Sequence, residues 1–302
     1  MRIVIAGGTG FLGQPLAAAL GRSGHEPVLL SRRGNGGASA FRTVAWTPDG
    51  SAGPWAAEID GAAAVVNLAG ESIAADRWTP TRKQRILDSR VRATASLVAA
   101  IGRAADPPPT FVSGSAVGYY GPLDDREATE ESPPGRDFLA DVCVKWEAEA
   151  MRAASDRTRV VRVRTGLVLA RDGGALPKML PPFWLGAGGP VGSGRQYWPW
   201  IHRSDWIDLV RFAIDTPTVV GPLNATAPQP VPNRVFAKAL GRAIHRPALL
   251  PAPGFALKLM LGEMADALLL SGQRAIPAKA TRLGYRFRYA SLDNALAALF
   301  KN

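Results

Sequence analysis

Residues 2–33 read RIVIAGGTGFLGQPLAAALGRSGHEPVLLSRR, and this stretch decides the fold. RIVIA (2–6) is a short apolar run that ends in glycines, FLGQPLAAALGRSG carries a helical pattern, and PVLLS (27–31) is a second β-rich run. A strand, a glycine turn, a helix and a strand within about 30 residues make a βαβ unit. Gly7, Gly10 and Gly13 satisfy G-x-x-G-x-x-G, and Gly8, Gly10 and Gly13 satisfy G-x-G-x-x-G. Such a turn needs glycine for three reasons: the chain reverses sharply, a pyrophosphate must approach the backbone, and the helix must pack closely on the strand. The first N–H groups of the helix then face the phosphates. The glycines alone are weak evidence, and a tight turn without a ligand is the bland alternative. Their place between a strand and a helix, with a second strand on schedule, makes a dinucleotide site the stronger reading.

The alternation continues outward. AAVVNLAG (63–70) reads as a buried strand, 79–104 as a long helix, TFVSGS (110–115) as a strand, 138–154 as a helix and TRVVRVRTGLVL (158–169) as a strand. Strands nearly continuous in Val, Ile and Leu belong in a parallel sheet covered on both faces. The fold class is therefore α/β, a doubly wound Rossmann sheet. After residue 170 the texture changes. GAGGPVGSG (186–194) reads as loop, 204–215 as a helix with Ser204 or Asp205 at its N-cap, and 217–232 as Pro-rich connections. The tail 233–300 reads as two or three helices with YRFRYA (285–290) as a short strand. The expected division is a Rossmann domain over 1–170, to which 204–228 returns, and a smaller C-terminal lobe from 171–203 and 229–302.

The chain has 302 residues, 47% of them apolar, enough for one large α/β domain with a lobe. No apolar run approaches the ~18 to 20 residues of a bilayer span, and the N-terminus lacks the order of a signal peptide. A soluble cytoplasmic protein with no membrane partner is expected. The single cysteine, Cys143, excludes an intramolecular disulfide and a Cys-cluster zinc site; His25, His202 and His245 have no metal-ligand spacing, so no metal is expected. The net charge of +11 raises the local concentration of phosphate-bearing ligands or nucleic acid. Lys and Arg occur in ones and twos, as in SRR (31–33) and TRKQR (81–85), without a nucleic-acid signature. The expected partner is a small-molecule substrate, with no nucleic acid; the oligomeric state is not legible.

The end of the second strand selects the dinucleotide. An acidic residue there would hold the ribose of NAD, but the sequence reads Ser31, Arg32, Arg33. A guanidinium favours a 2′-phosphate, so the expected cofactor is NADP(H), with one of the two arginines merely solvated.

Together GGTGFLG (7–13), NLAG (67–70), SGSAVGYYG (113–121), RTGLVL (164–169) and WIHRSD (200–205) resemble the short-chain dehydrogenase/reductase superfamily in its extended, epimerase-like form. More narrowly, NLAGESI, SRVRAT, FLADVC with KWE, GGPVGSG and SGQRAIP resemble an atypical branch, sugar-epimerase-like proteins with a family-specific C-terminal domain. The resemblance implies cofactor contacts at Gly7, Thr9, Gly10, Phe11, Leu12 and Gly13, at Ser31, Arg32 and Arg33, at Leu68, Ala69 and Gly70, and at Ser113, Thr165 and Gly166. It implies Ser115 as the catalytic serine.

The superfamily also uses a tyrosine and a lysine spaced Y-x-x-x-K, one helical turn apart on one face. The lysine lowers the phenol pKa so that tyrosinate exchanges a proton with the substrate. Here TEESPPG (129–135) and Glu147 fix the register, and the tyrosine falls on Leu139 and the lysine on Cys143. A shift of one residue puts Phe138 at the tyrosine position. Asp141 and Lys145 keep the spacing but point about 200° round the helix, as an exposed ion pair. Arg90 stands where many members carry a water-holding asparagine, and arginine there suits an anion. The atypical branch characteristically shows these changes.

Each remaining candidate has two readings. Ser115 polarises a substrate carbonyl or caps its strand, and Cys143 is a thiol acid, a redox group or inert packing. Tyr119 and Tyr120 supply a phenol or line the pocket, while His202 is an acid–base group or a local hydrogen-bonding partner. Lys83, Arg85 and Arg90 form an anion-binding rim or a solvated face. Asp124, Asp125, Glu127, Glu130 and Glu131 read as a mobile acidic loop over the pocket mouth. The first functional reading is an NADP(H)-binding oxidoreductase or epimerase-like enzyme on a small anionic or sugar-derived substrate, with Ser115, Cys143 and Arg90 as catalytic candidates. The second is a non-catalytic NADP-binding regulator, as relatives described as cell-division inhibitors suggest.

Overall fold

The computed structural model describes residues 1–33 and 40–301. The first half alternates as β1 (Arg2–Ala6), α1 (Gly13–Arg22), β2 (Glu26–Ser31), β3 (Thr43–Ala45), β4 (Ala64–Asn67), α2 (Pro80–Arg103), β5 (Thr110–Ala116), β6 (Glu127–Ala128) and α3 (Phe138–Met151). Then follow β7 (Arg159–Thr165), β8 (Leu167–Leu169), α4 (Leu176–Trp184), β9 (Tyr197–Trp198), β10 (Trp200–His202), α5 (Arg203–Asp215), β11 (Gly221–Ala225) and β12 (Val231–Pro232). The chain ends in α6 (Asn233–Ala243), α7 (Gly254–Leu261), α8 (Glu263–Ala265), β13 (Arg274–Ala275), α9 (Ala278–Arg282) and α10 (Leu292–Phe300).

Seven strands form one parallel sheet in the order β11-β7-β5-β4-β1-β2-β3. Its inner strands are apolar on both faces because both are covered. Ile3, Ile5 and Leu29 pack with Leu16 and Leu20 of α1 and with Trp206 and Leu209 of α5. Val4, Val65 and Phe111 pack on the other face with Leu97 and Ile101 of α2 and with Trp55. A third apolar cluster joins Leu180, Phe183, Trp200, Phe236 and Leu296 in a smaller C-terminal region. Strand order reverses between β1 and β4, which opens a crevice at their carboxyl ends, the usual ligand position of such sheets.

The run 158–169 is two strands rather than one. A Cβ on Gly166 would lie 2.4 Å from the Pro199 carbonyl oxygen, and the chain leaves the sheet there so that β8 pairs with β10. The cap of α5 is His202, whose Nδ1 accepts the Ser204 N–H at 3.1 Å, and not Ser204 or Asp205. The Asp205 carboxylate instead accepts the N–H groups of Arg288 (2.7 Å) and Tyr289 (2.9 Å). Those donors are therefore unavailable to a ladder, and YRFRYA forms no strand. The tail holds five α-helical segments, α6 to α10, and a π-helical turn at Asp266–Leu270, where two or three helices were expected. Among the described residues no helix is long and apolar enough to cross a membrane.

Candidate functional site

The glycine loop leaves β1 and enters α1 at the crevice. Gly7 has φ +74°, and a Cβ there would lie 2.7 Å from the Leu68 backbone; one on Gly13 would lie 2.4 Å from the Gly7 carbonyl oxygen. Side chains are thus excluded where the loop meets β4 and where the helix presses on the loop. Gly10 is different: within 4 Å its Cβ would meet only the Gly7 oxygen, at 3.2 Å. Its outer side is open, Thr9 and Gly10 are exposed, and Phe11 and Leu12 are half-buried. The first turn of α1 holds no acidic residue, so a polyphosphate meets free N–H groups and the positive helix end without repulsion. The cradle fits a dinucleotide pyrophosphate.

Ser31 closes β2 and accepts the Arg33 N–H through its Oγ, while Arg32 and Arg33 are exposed. The carboxylate of Glu71 sits near Arg32. A hydrogen bond from Arg85 holds it below the usual carboxylate range, with the charges of Arg82, Arg85 and Arg32 adding. At the end of β4, buried Asn67 donates to Thr94 Oγ1 (2.9 Å) and accepts the Ala69 N–H (3.1 Å). This fixes Leu68 and Ala69 beside the glycine loop. Gly70 is exposed and lies against Arg90. The Arg90 guanidinium donates to the carbonyls of Ile86 (2.9 Å) and Glu71 (3.1 Å) and lies over Trp146 at 5.3 Å. Burial pulls its pKa below the ordinary arginine value.

Ser113 and Ser115 are both buried on β5. The Ser115 hydroxyl donates to Glu147 Oε1 at 2.7 Å. Glu147 is only 3% exposed and also accepts from Arg164 Nε (2.8 Å) and Nη2 (2.9 Å) and from Arg162 (3.2 Å). Arg164 in turn lies 3.4 Å from the Tyr119 ring centroid and donates to the Tyr120 hydroxyl. That hydroxyl donates to Asn224 at 2.6 Å, and burial pushes its pKa up to about 12. Tyr120 is a buried network member.

Leu139 is half-buried against Gly118, where a Cβ would lie 3.3 Å from its own. Cys143 is buried with Sγ 3.7 Å from the Ala116 carbonyl oxygen. Burial, and then the Glu147 charge, push its thiol up to about 12, so it stays protonated near neutral pH. Asp141 and Lys145 form an exposed ion pair at 2.8 Å. Thr165 Oγ1 accepts from Trp206 Nε1 at 3.1 Å, which places Thr165 and Gly166 at the sheet end beside α5.

The other candidates separate. Lys83 pairs with Glu263 (2.6 Å) and Arg85 with Glu71 (2.7 Å), so they do not form one rim with Arg90. His202 stacks on Tyr289 at 4.0 Å between centroids, and burial, then Arg203 and Arg288, lower its pKa to about 4. It is a neutral cap. The acidic stretch is no uniform surface loop: Glu130 is buried and accepts the N–H groups of Asn224 (3.0 Å) and Lys279 (3.1 Å). Glu127 pairs with Arg274 and Glu131 with Arg282. Among the described residues no three His, Cys, Asp or Glu side chains gather as a metal site. Sequence reasoning used Glu147 only as a register mark and passed over Arg162 and Arg164. Their signal was two interior arginines, beyond Arg159 at the strand's start, among valines apolar enough for the core, since a buried guanidinium needs a carboxylate.

Residues 3–225 match the NAD dependent epimerase/dehydratase family, and residues 252–299 match a domain of unknown function, DUF1731. The chain is 40% identical over 305 residues to the chloroplastic Epimerase family protein SDR39U1 homolog of Arabidopsis thaliana, covering 100% of this chain and 87% of that protein. It is 40% identical to Epimerase family protein YfhF of Bacillus subtilis, over 99% and 98% of the two chains. The crystal structure of human epimerase family protein SDR39U1 (isoform2) with NADPH superposes at a TM-score of 0.92 with 38% identity, over 100% of both chains.

Proposed function

The chain belongs to the NAD dependent epimerase/dehydratase family, and from that premise we propose that it binds NADP(H) at the carboxyl ends of β1, β2 and β4 and acts there as an oxidoreductase or epimerase-like enzyme on a small anionic or sugar-derived substrate. The observation that carries the reading is the glycine cradle, closed to side chains at Gly7 and Gly13 and open at Gly10. The similar human protein holding NADPH supports the choice of cofactor. When bound, the nicotinamide supplies or accepts hydride.

The chain's own groups have distinct tasks. The loop N–H groups and the N-terminus of α1 hold the pyrophosphate, and Arg32 holds the 2′-phosphate. Ser115 gives its only proton to Glu147, so it offers lone pairs and accepts a hydrogen bond from a substrate hydroxyl; it does not donate to a carbonyl. Arg90 keeps N–H groups beyond the two it spends on carbonyls and presents them to an anion. Leu139 and Cys143 supply no proton, so a proton released from a substrate hydroxyl as hydride leaves would pass to water, and hydride addition would take its proton from water.

Titration with NADPH and NADH tests the binding. NADPH should bind at least about tenfold more tightly, since a charge-assisted hydrogen bond is worth about 1.5–3 kcal/mol, and Arg32→Ala should remove the preference. Failure of NADPH to bind, or a preference unchanged in Arg32→Ala and Arg33→Ala, overturns the cofactor assignment. Nicotinamide absorbance against aldehydes, ketones, quinones and nucleotide sugars then tests turnover. The engagement of both the Ser115 and Cys143 protons with protein acceptors favours a second reading, an NADP(H)-binding regulator without chemistry. Tight binding with no turnover on any of these substrates would establish that reading over the first.

A further inference from the structure

The positive charge of this chain is segregated. Residues 171–203 and 229–302 carry 15 Lys and Arg against 4 Asp and Glu, whereas the remaining residues carry 21 of each, so the whole excess of +11 falls in these two ranges, although Arg203, Arg274, Lys279, Arg282 and Arg288 among them lie against the sheet domain. The C-terminal lobe bears an apolar tip. Helix α7, GFALKLML, has no buried side chain; Phe255 and Leu259, one turn apart, are 77% and 79% exposed. Leu249 and Leu250 precede it, 78% and 56% exposed. Hydrogen bonds from Leu250 N to the Gly188 carbonyl (3.1 Å) and from Ala252 N to that of Pro190 (2.8 Å) lay this segment beside the end of α4. There Leu185 is 83% exposed. Next to Leu249 opens a depression of about 530 Å³ lined by Lys238, Arg242, His245 and Arg246. Arg242 is paired with Asp293, and Lys238 and Arg246 face solvent.

Single exposed leucines are ordinary, but bulky apolar side chains gathered on one tip are not. An apolar helix with cations at its flank suits the boundary between headgroups and acyl chains: the leucines and Phe255 leave water while the cations meet lipid phosphates. A two-fold contact between copies through this face would bring two basic depressions together, which like charge opposes. Nucleic acid would use the cations but give the mainly aliphatic tip nothing to bury in. We propose that the C-terminal lobe docks on an anionic lipid surface, with α7 and the Leu249–Leu250 shoulder entering the interface and Lys238 and Arg246 against the headgroups. The contact is peripheral. It would hold the 71–83 side of the crevice near the lipid, because Arg77 donates to the Leu259 carbonyl and Lys83 pairs with Glu263 just beyond α7.

Flotation of the full chain with phosphatidylcholine vesicles, with and without phosphatidylglycerol, tests this. Binding should require phosphatidylglycerol and weaken with salt. Lys238→Glu with Arg246→Glu should weaken it at least about tenfold, since each basic residue near the surface contributes about 1 kcal/mol. Phe255→Ser with Leu259→Ser should abolish it with circular dichroism and melting temperature unchanged, as expected for side chains that are mostly exposed. No binding at low salt overturns the proposal, as does an apolar double variant that binds like the parent. Displacement from the vesicles by duplex DNA that binds the apolar double variant equally well would replace lipid with nucleic acid. A dimer that this variant dissociates, without vesicle binding, would replace it with a second copy.

Discussion

Glu147 decides what Ser115 and Arg164 can do. Among the described residues its carboxylate is the only acid bonded to the buried Arg164 guanidinium, and its Oε1 also takes the Ser115 proton. Removing the charge leaves a cation in a low-dielectric site, so Glu147→Gln should lower stability by about 3–5 kcal/mol, read from urea unfolding. Ser115→Ala removes one hydrogen bond and should cost only about 1–2 kcal/mol; equal losses would contradict this ranking. Cys143 gives a second residue-level expectation. A buried thiol whose pKa is pushed to about 12 should not react with a disulfide reagent near pH 8 in the folded protein, and one equivalent should react after unfolding. Rapid labelling of the folded chain would restore the reactive-thiol reading. That Leu139 and Cys143 stand one turn apart on one helix was legible because spacing within a helix is fixed by the sequence. The Glu147 network was not, because its partners stand 17 and 32 residues away in sequence and meet only when β5, β7 and α3 pack.

At the scale of elements, legibility follows the source of each element's stability. The strands β1, β4 and β7 are short Val- and Ile-rich runs whose apolar character marks them directly, whereas the edge strands β3 (TVA) and β11 (GPLNA), the latter inside the stretch read as Pro-rich connections, carry no such mark. The segment 285–290 alternates aromatic and basic residues as a strand would, yet Asp205 takes the N–H groups of Arg288 and Tyr289. A long-range carboxylate overrode the local pattern. The His202 cap beside it makes pH a probe of this junction. The imidazole pKa is about 4 in the folded chain against 6.5 as the ordinary value, so the unfolded chain binds the extra proton between these limits. The stability it protects is complete above about pH 6.5 and is lost as pH falls to about 4, on the order of 3 kcal/mol. Asp205 opposes this at the acid end, because burial raises its pKa and the folded state takes up that proton first. His202→Asn keeps a capping side chain without the titration. It should flatten the stability profile over this interval, and an unchanged slope would show that other groups set it.

For the molecule as a whole, connectivity couples the sheet to the C-terminal region more tightly than a linear division of the sequence suggests. The chain leaves the sheet after β7, contributes β8, α4, β9 and β10, and returns through α5 to place β11 at the sheet edge. Glu130 closes the arrangement from inside: one carboxylate oxygen accepts the β11 N–H of Asn224 and the other the Lys279 N–H at the start of α9. Asn224 Nδ2 reaches the Ile276 carbonyl (2.9 Å), and Lys279 Nζ reaches that of Val220 (2.8 Å). These bonds from β6–α3, β11 and α9 share one seam, buried at the Glu130–Asn224 bond and open to solvent at the Lys279 Nζ–Val220 bond, and its buried part cannot open without exposing unpaired polar groups. The chain should unfold in a single transition, with near-ultraviolet and far-ultraviolet circular dichroism coincident in urea. Glu130→Ala strands two N–H groups at about 1–3 kcal/mol each and should lower the shared midpoint in both signals by the same amount. If the seam were incidental, that variant would instead split the curves, with the C-terminal signal moving alone while the sheet kept its original midpoint.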